Sequence, residues 1–220
     1  MTNVTNISGK GVSEIQPAHY DMILARLRPR TVPATLKSLH AWLKGEPDGG
    51  ELLGCLFSEL GIVNQVLLLR RFGGVDALLD ARQRIVHSTD PLGIGEFAVE
   101  LVMNIGAAMP ATVSTPATSV GPFFEVRTDV PRPGRLCHAF NSWQAACSRS
   151  TAPRPIFGVY SIAGDSQGIV HIWRWPTIDE RAQIADDVSP TNLWRMGEPD
   201  DAPLSQRVDI FRAAAFSPMQ

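Results

Sequence analysis

The chain has 220 residues, 44% of them hydrophobic and 19% charged, with a formal net charge of −2. This is a soluble globular composition with enough apolar material for one large core or two smaller ones. Near neutrality without a basic block argues against nucleic acid as a main partner. The opening, MTNVTNISGKGVSEIQPAHY, has no continuous apolar core, and no run approaches the length of a membrane span. The expectation is a cytoplasmic protein with a mobile N-terminal tail over residues 1–19 and no membrane partner. Cys55, Cys137 and Cys147 form no CxxC pair. They read as small buried residues of a reducing compartment.

After the tail the chain repeats itself. A strand opens at Ile23-Leu24-Ala25-Arg26-Leu27, and a helix led by Pro33 carries the stripe Leu36, Leu39, His40 and Leu43. Two apolar runs follow in GCLFSELGIVNQVLLLRRF, from Gly54 to Phe72, and a last apolar segment, Val99 to Met109, closes the unit before Pro110. The stretch 110–121 reads as a linker. The second copy opens at Phe124-Glu125-Val126-Arg127-Thr128 and continues with a Pro133-led helix striped by Leu136, Ala139, Phe140, Trp143 and Cys147. Two apolar runs from Gly158 to Trp175, separated by turn residues, read as a hairpin. Thr177-Ile178-Asp179-Glu180 is a capping box opening a second helix, which Ser189-Pro190 ends, and Val208 to Phe216 is the last apolar segment. The offsets are nearly constant: 101 positions from Arg26 to Arg127, 100 from Pro33 to Pro133, and 104 from Gly54 to Gly158.

Each copy thus reads strand, helix, strand, strand, helix, strand, the split ferredoxin-like unit with both helices on one sheet face. The expected fold class is α+β, with units over 20–109 and 122–220. The bare faces of the two sheets would cover each other, merging into a barrel inside one chain with helices outside.

Strand periodicity places Glu125 and Arg127 on one face of the opening strand, and His171, Trp173 and Trp175 on one face of another. If both sets share a side, an acid, a fixed cation, an imidazole and two aromatic walls meet. A carboxylate beside His171 would hold it in one tautomer as a general base near neutral pH, and Arg127 would orient a carboxylate or stabilise an enolate. Glu125, Arg127 and His171 are therefore the candidate catalytic residues. Trp173, Trp175, Tyr160, Trp143 and His40 are the candidates for enclosing a substrate, His40 in a cavity of the first half, where its alternative is a buried, hydrogen-bonded helix residue. An alternative takes Glu125 and Arg127 as an edge ion pair, His171 as a core histidine and Tyr160 as a sheet-surface hydroxyl. No HExxH, paired cysteines, GxSxG, GxxxxGK or GxGxxG after a strand occurs, so neither a metal nor a nucleotide cofactor is expected.

Glu125-Val126-Arg127-Thr128, Pro133-Gly134-Arg135-Leu136, His171-Ile172-Trp173-Arg174-Trp175 and Asp179-Glu180-Arg181 together resemble the NIPSNAP family of the dimeric α/β-barrel superfamily. The stretch from Gly54 to Phe72 resembles the family's second and third strands, with Leu24 standing where the family's glutamate would fall and Leu68 where its histidine would fall. The resemblance implies two tandem units in an intrachain dimeric α/β-barrel. It implies a cofactor-free monooxygenase, isomerase or lyase acting on a small aromatic or polyketide-like molecule in a biosynthetic or catabolic pathway. Two other readings come with it: a haem protein with His171 as axial ligand, and a non-catalytic interaction protein. Two units in one chain remove the need for an obligate dimer, and a further homodimer stays open.

Overall fold

A computed structural model describes residues 19–46, 49–109, 121–149, 155–164, 168–186 and 203–220, with the backbone alone for 146–149. The expected tail up to residue 18, most of the linker, the turn residues 165–167, the Ser189-Pro190 helix stop and the Cys147 side chain lie outside the described residues, while His19, expected to end the tail, already belongs to the first strand. The first unit runs β1 (His19–Leu27), α1 (Val32–Gly45), β2 (Glu51–Leu60), β3 (Gln65–Phe72), α2 (Val75–His87) and β4 (Ala98–Ala108). The second runs β5 (Phe123–Val130), α3 (Leu136–Arg149), β6 (Phe157–Ala163), β7 (Ile169–Trp175), α4 (Ile178–Asp186) and β8 (Ser205–Ala213). All eight strands close into one barrel in the order β1-β3-β2-β8-β5-β7-β6-β4. Each unit contributes the ferredoxin-like order 4-1-3-2, and two seams, β2 with β8 and β4 with β6, join them.

Local sequence explains several helix ends. Proline sits in the first turn of α1 and Lys44 in its last, where the missing N–H costs nothing and the cation meets the helix's negative end. At α4 the Thr177 hydroxyl accepts the Glu180 N–H at 3.1 Å, the forward half of the expected capping box. Pro133, by contrast, does not begin α3. Gly134 follows it with φ +80°, a left-handed residue that breaks helical dihedrals, and the helix starts at Leu136.

Strand alternation sorts the core into layers. Inside the barrel, Met22, Leu56, Leu67 and Leu69 of the first unit meet Phe124, Val126, Val159, Ile172 and Phe211 of the second, with no helix among them. Between sheet and helices of the first unit lie Ile23, Ala25, Leu39, Cys55, Leu68 and Ile85. The matching layer of the second holds Trp143, Ile169, Trp173, Trp175 and Met109. The candidate site belongs to this last layer.

The ladders of the closed barrel admit one superposition of the two units. Asp21 falls on Glu125, Leu56 on Val159, Leu68 on His171 and Ile105 on Ile210. Asp21 faces Arg70 as Glu125 faces Trp173, and Ile23 faces Leu68 as Arg127 faces His171. This corrects the sequence alignment, which matched Arg26 with Arg127 and Leu24 with Glu125. That slip is of three residues, an odd number, and turns every side chain to the opposite face. Arg26 is a half-exposed residue paired with Glu100 at 2.7 Å.

Candidate functional site between α3 and the second sheet

β5 and β7 lie side by side with Arg127 opposite His171 and Glu125 opposite Trp173. All four side chains point into the layer beneath α3 and α4, so the structure brings the predicted acid, cation and imidazole to one face. Gly121 makes this pairing possible where β5 begins. Its φ is +153°, and a Cβ there would stand 2.1 Å from the Trp175 carbonyl oxygen.

A cavity of about 70 Å³ opens beside His171, bounded by Arg127, Asp129, Ser142, Trp143, Ile169 and Met109 among others. His171 is 3% exposed. Its ring stacks on Trp143 with centroids 4.3 Å apart and planes 17° apart, and its Nε2 lies 3.1 Å from the Met109 sulfur. Burial pushes the imidazole pKa down to about 3, and the Arg127 charge adds to the shift. His171 is therefore neutral at physiological pH. The expected carboxylate partner is elsewhere: Glu125 Oε2 accepts from Trp175 Nε1 at 3.1 Å and from Arg181 Nε at 3.2 Å, while its Oε1 has no hydrogen-bond partner. Burial raises the Glu125 pKa against the opposing pull of Arg181. A base tuned by Glu125 to neutral pH is thus replaced by an imidazole kept uncharged by its surroundings. Arg127 turns its Nε to Asp129, 3.3 Å away, and Asp129 in turn accepts from Gln206 Nε2 at 2.7 Å.

Of the expected enclosing residues, Trp143 lines the cavity. Trp173 and Trp175 stack behind it, with centroids 6.1 Å apart, and Trp173 meets Trp143 edge-on at 6.2 Å. Tyr160 packs against Phe140 at 5.0 Å and does not line the cavity. His40 belongs to the first unit, where it stacks on Phe216 at 4.4 Å, away from this site. Of the lining residues that sequence reasoning did not put forward for the site, three carry a polar or sulfur-bearing side chain: Asp129, Ser142 and Met109. Asp129 continues the i, i+2 face of Glu125 and Arg127 and was within reach of that reasoning. Ser142 adjoins Trp143 on α3. Met109 gave no sequence signal, because it ends the first unit and enters the second across the β4–β6 seam, its N–H bonded to Gly158 O at 3.1 Å. Among the described residues no group of three His, Cys, Asp or Glu side chains is placed to hold a metal ion.

The chain is 24% identical over 154 residues to a NipSnap homolog of Dictyostelium discoideum, covering 69% of each protein. It resembles the NIPSNAP family. No protein-family model matches it. The NIPSNAP-like chain also shares its whole fold with solved structures of remote sequence. An anthrone oxidase-like protein superposes with TM-score 0.62 at 9% identity, covering 94% of this chain and 95% of the other. A monooxygenase-like protein from Lactobacillus acidophilus superposes with TM-score 0.60, also at 9% identity, over 90% and 94%. At such identities these neighbours establish the dimeric α/β-barrel fold and nothing of the chemistry.

Proposed function

We propose that the protein binds a small organic molecule beside His171 and acts on it as a cofactor-independent enzyme. The observation that carries this reading is that Arg127 and His171, adjacent across the β5–β7 ladder, open on the same cavity, walled in part by Trp143, Ile169 and Met109. A compact acid, phenol or enolisable carbonyl compound suits it. Arg127 would hold the anionic or developing negative oxygen, and neutral His171 would take the proton. Desolvation and the Arg127 charge both disfavour the imidazolium. A negative charge forming on the substrate offsets both, so the base becomes competent only with substrate in place. Glu125 and Arg181 would act at one remove by holding Trp175 and the sheet beneath α4.

Haem does not fit this arrangement. The His171 Nε2 is covered by Met109, one ring face by Trp143, and about 70 Å³ is far below the roughly 300–1,000 Å³ of pockets for ligands of drug size. The same volume holds only several waters, at about 10–15 Å³ each, so the ligand is compact.

The test is a calorimetric screen of small carboxylates, phenols and 1,3-dicarbonyl compounds, followed by turnover measurements on any that bind. Arg127→Met should weaken binding at least tenfold. His171→Ala should lower turnover about a hundredfold, the usual contribution of a positioned acid or base. Binding that survives both substitutions unchanged would place the ligand elsewhere and sink the proposal.

A further inference from the structure

The two units exchange their last residues. Where β4 leaves the first unit, the Met109 N–H bonds Gly158 O of β6 at 3.1 Å; where β8 leaves the second, the Ala214 N–H bonds Cys55 O of β2 at 2.9 Å. The register that superposes the units maps these bonds onto each other, Met109 on Ala214 and Gly158 on Cys55. Each exit therefore lays its side chain on the other unit's third strand, Ala214 in the layer of Leu68 and Met109 against His171. The pocket of the second unit is completed by a side chain of the first.

We propose that Met109 is the specificity-determining residue of this site, a thioether that caps His171 Nε2 and must turn aside before any molecule reaches it. The geometry limits access to that nitrogen. Trp143 covers a ring face at 4.3 Å, Met109 Sδ stands at hydrogen-bond distance from Nε2, and both residues are almost fully buried. A methionine suits such a cap because its unbranched, polarisable chain repacks at low cost and sulfur is a weak partner that an oxygen ligand displaces. Its length sets how large an occupant the cavity takes. Ala214, at the corresponding place, leaves no such cap, and the first unit instead fills the layer with Leu39, Leu68 and Ile85.

The proposal assumes that the cavity beside His171 is the binding site, but its test needs no substrate. Diethyl pyrocarbonate acylates neutral imidazole nitrogen, and mass spectrometry reads each of the five histidines separately. His40, His87 and His138 serve as internal references. With Met109 in place, His171 should be the slowest to react. Met109→Ala should raise its rate at least tenfold with the references unchanged, Met109→Val should give an intermediate gain, and Met109→Leu, which keeps the bulk, should stay protected. Unchanged protection in Met109→Ala and Met109→Val overturns the proposal, as does a Met109→Leu rate equal to that of Met109→Ala. Should Met109→Ala unfold and label all histidines alike, the ratio of Met109→Val to the parent protein decides by the same criterion. An exposed His171 with no small-molecule binder would leave the cap standing and fail the enzyme reading alone.

Discussion

Replacing Arg181 by alanine strips the only cation hydrogen-bonded to the buried Glu125 carboxylate among the described residues. Glu125 is 0% exposed, and its remaining hydrogen bond comes from Trp175. Removing one partner of a buried ion pair costs about 3–5 kcal/mol; with 27% of the Arg181 side chain exposed, about 2–3 kcal/mol is the reasonable figure for the ionised carboxylate. For a chain of this size that is a fall in melting temperature of about 4–12 °C. The loss depends on pH with a defined sign. The folded pKa of Glu125 already lies above its usual 4.5, so ionising it opposes folding: stability is fullest below that value and declines as pH rises through the folded pKa. Without Arg181 the folded pKa rises further, and the decline extends to higher pH. Urea unfolding should therefore show a larger deficit at pH 8 than at acid pH, where protonation of Glu125 removes the unpaired charge. Glu125→Gln combined with Arg181→Ala should recover part of the pH 8 deficit. A loss below about 0.5 kcal/mol, or one equal at both pH values, would refute the account of Glu125 as a charge held in place by Arg181.

The imidazole of His171 should stay neutral in nitrogen-15 spectra down to a midpoint near pH 3; a midpoint near 6.5 would mean that it is not sealed as described. Because its folded pKa is depressed, His171 contributes stability above pH 6.5 that is lost as pH falls toward 3, and His171→Phe should flatten the acid limb of the stability curve between about pH 6 and 4. Asp21 faces both Arg70 and Arg82, so Asp21→Asn leaves two guanidinium groups on a neutral amide. The expected cost is about 3–5 kcal/mol by urea unfolding, and a loss under 1 kcal/mol would show that the arginines find other partners.

The fold was legible because duplication doubled a weak signal. One strand-helix-strand-strand-helix-strand pattern is ambiguous, whereas two in the same order constrain each other and demand a partner sheet. The shared face of the candidate residues was legible for the same reason of period: Glu125, Arg127, His171, Trp173 and Trp175 alternate on their strands and lie on one side of the sheet. The register between copies was not legible. Matching Arg26 to Arg127 rested on residue identity, while hydrogen-bonded ladders and barrel closure set the true match, which pairs Asp21 with Glu125. Asp21 looked like an ordinary polar residue at a strand start. Its 0% exposure comes from Arg70 and Arg82, which reach it from β3 and α2 across 49 and 61 residues of chain. The state of His171 was equally hidden, since Trp143 and Met109 come from a helix and from another unit.

The corrected register shows what joining two units in one chain permits. In a symmetric pair of separate subunits each exit would place the same residue on the partner's third strand, and the two cavities would be alike. Here a buried carboxylate survives at the corresponding place in both units, Asp21 and Glu125, each bound by an arginine from the second helix of its unit. Around that shared feature the units differ. Arg70, with its guanidinium 5.6 Å from the Trp42 ring and 5.2 Å from the Phe72 ring, occupies the place of Trp173, and Ile23 and Leu68 stand where Arg127 and His171 line the cavity. One chain can therefore fill one layer for stability and leave the other hollow. The first unit still reaches the second through Met109, so the proposed site draws side chains from both halves.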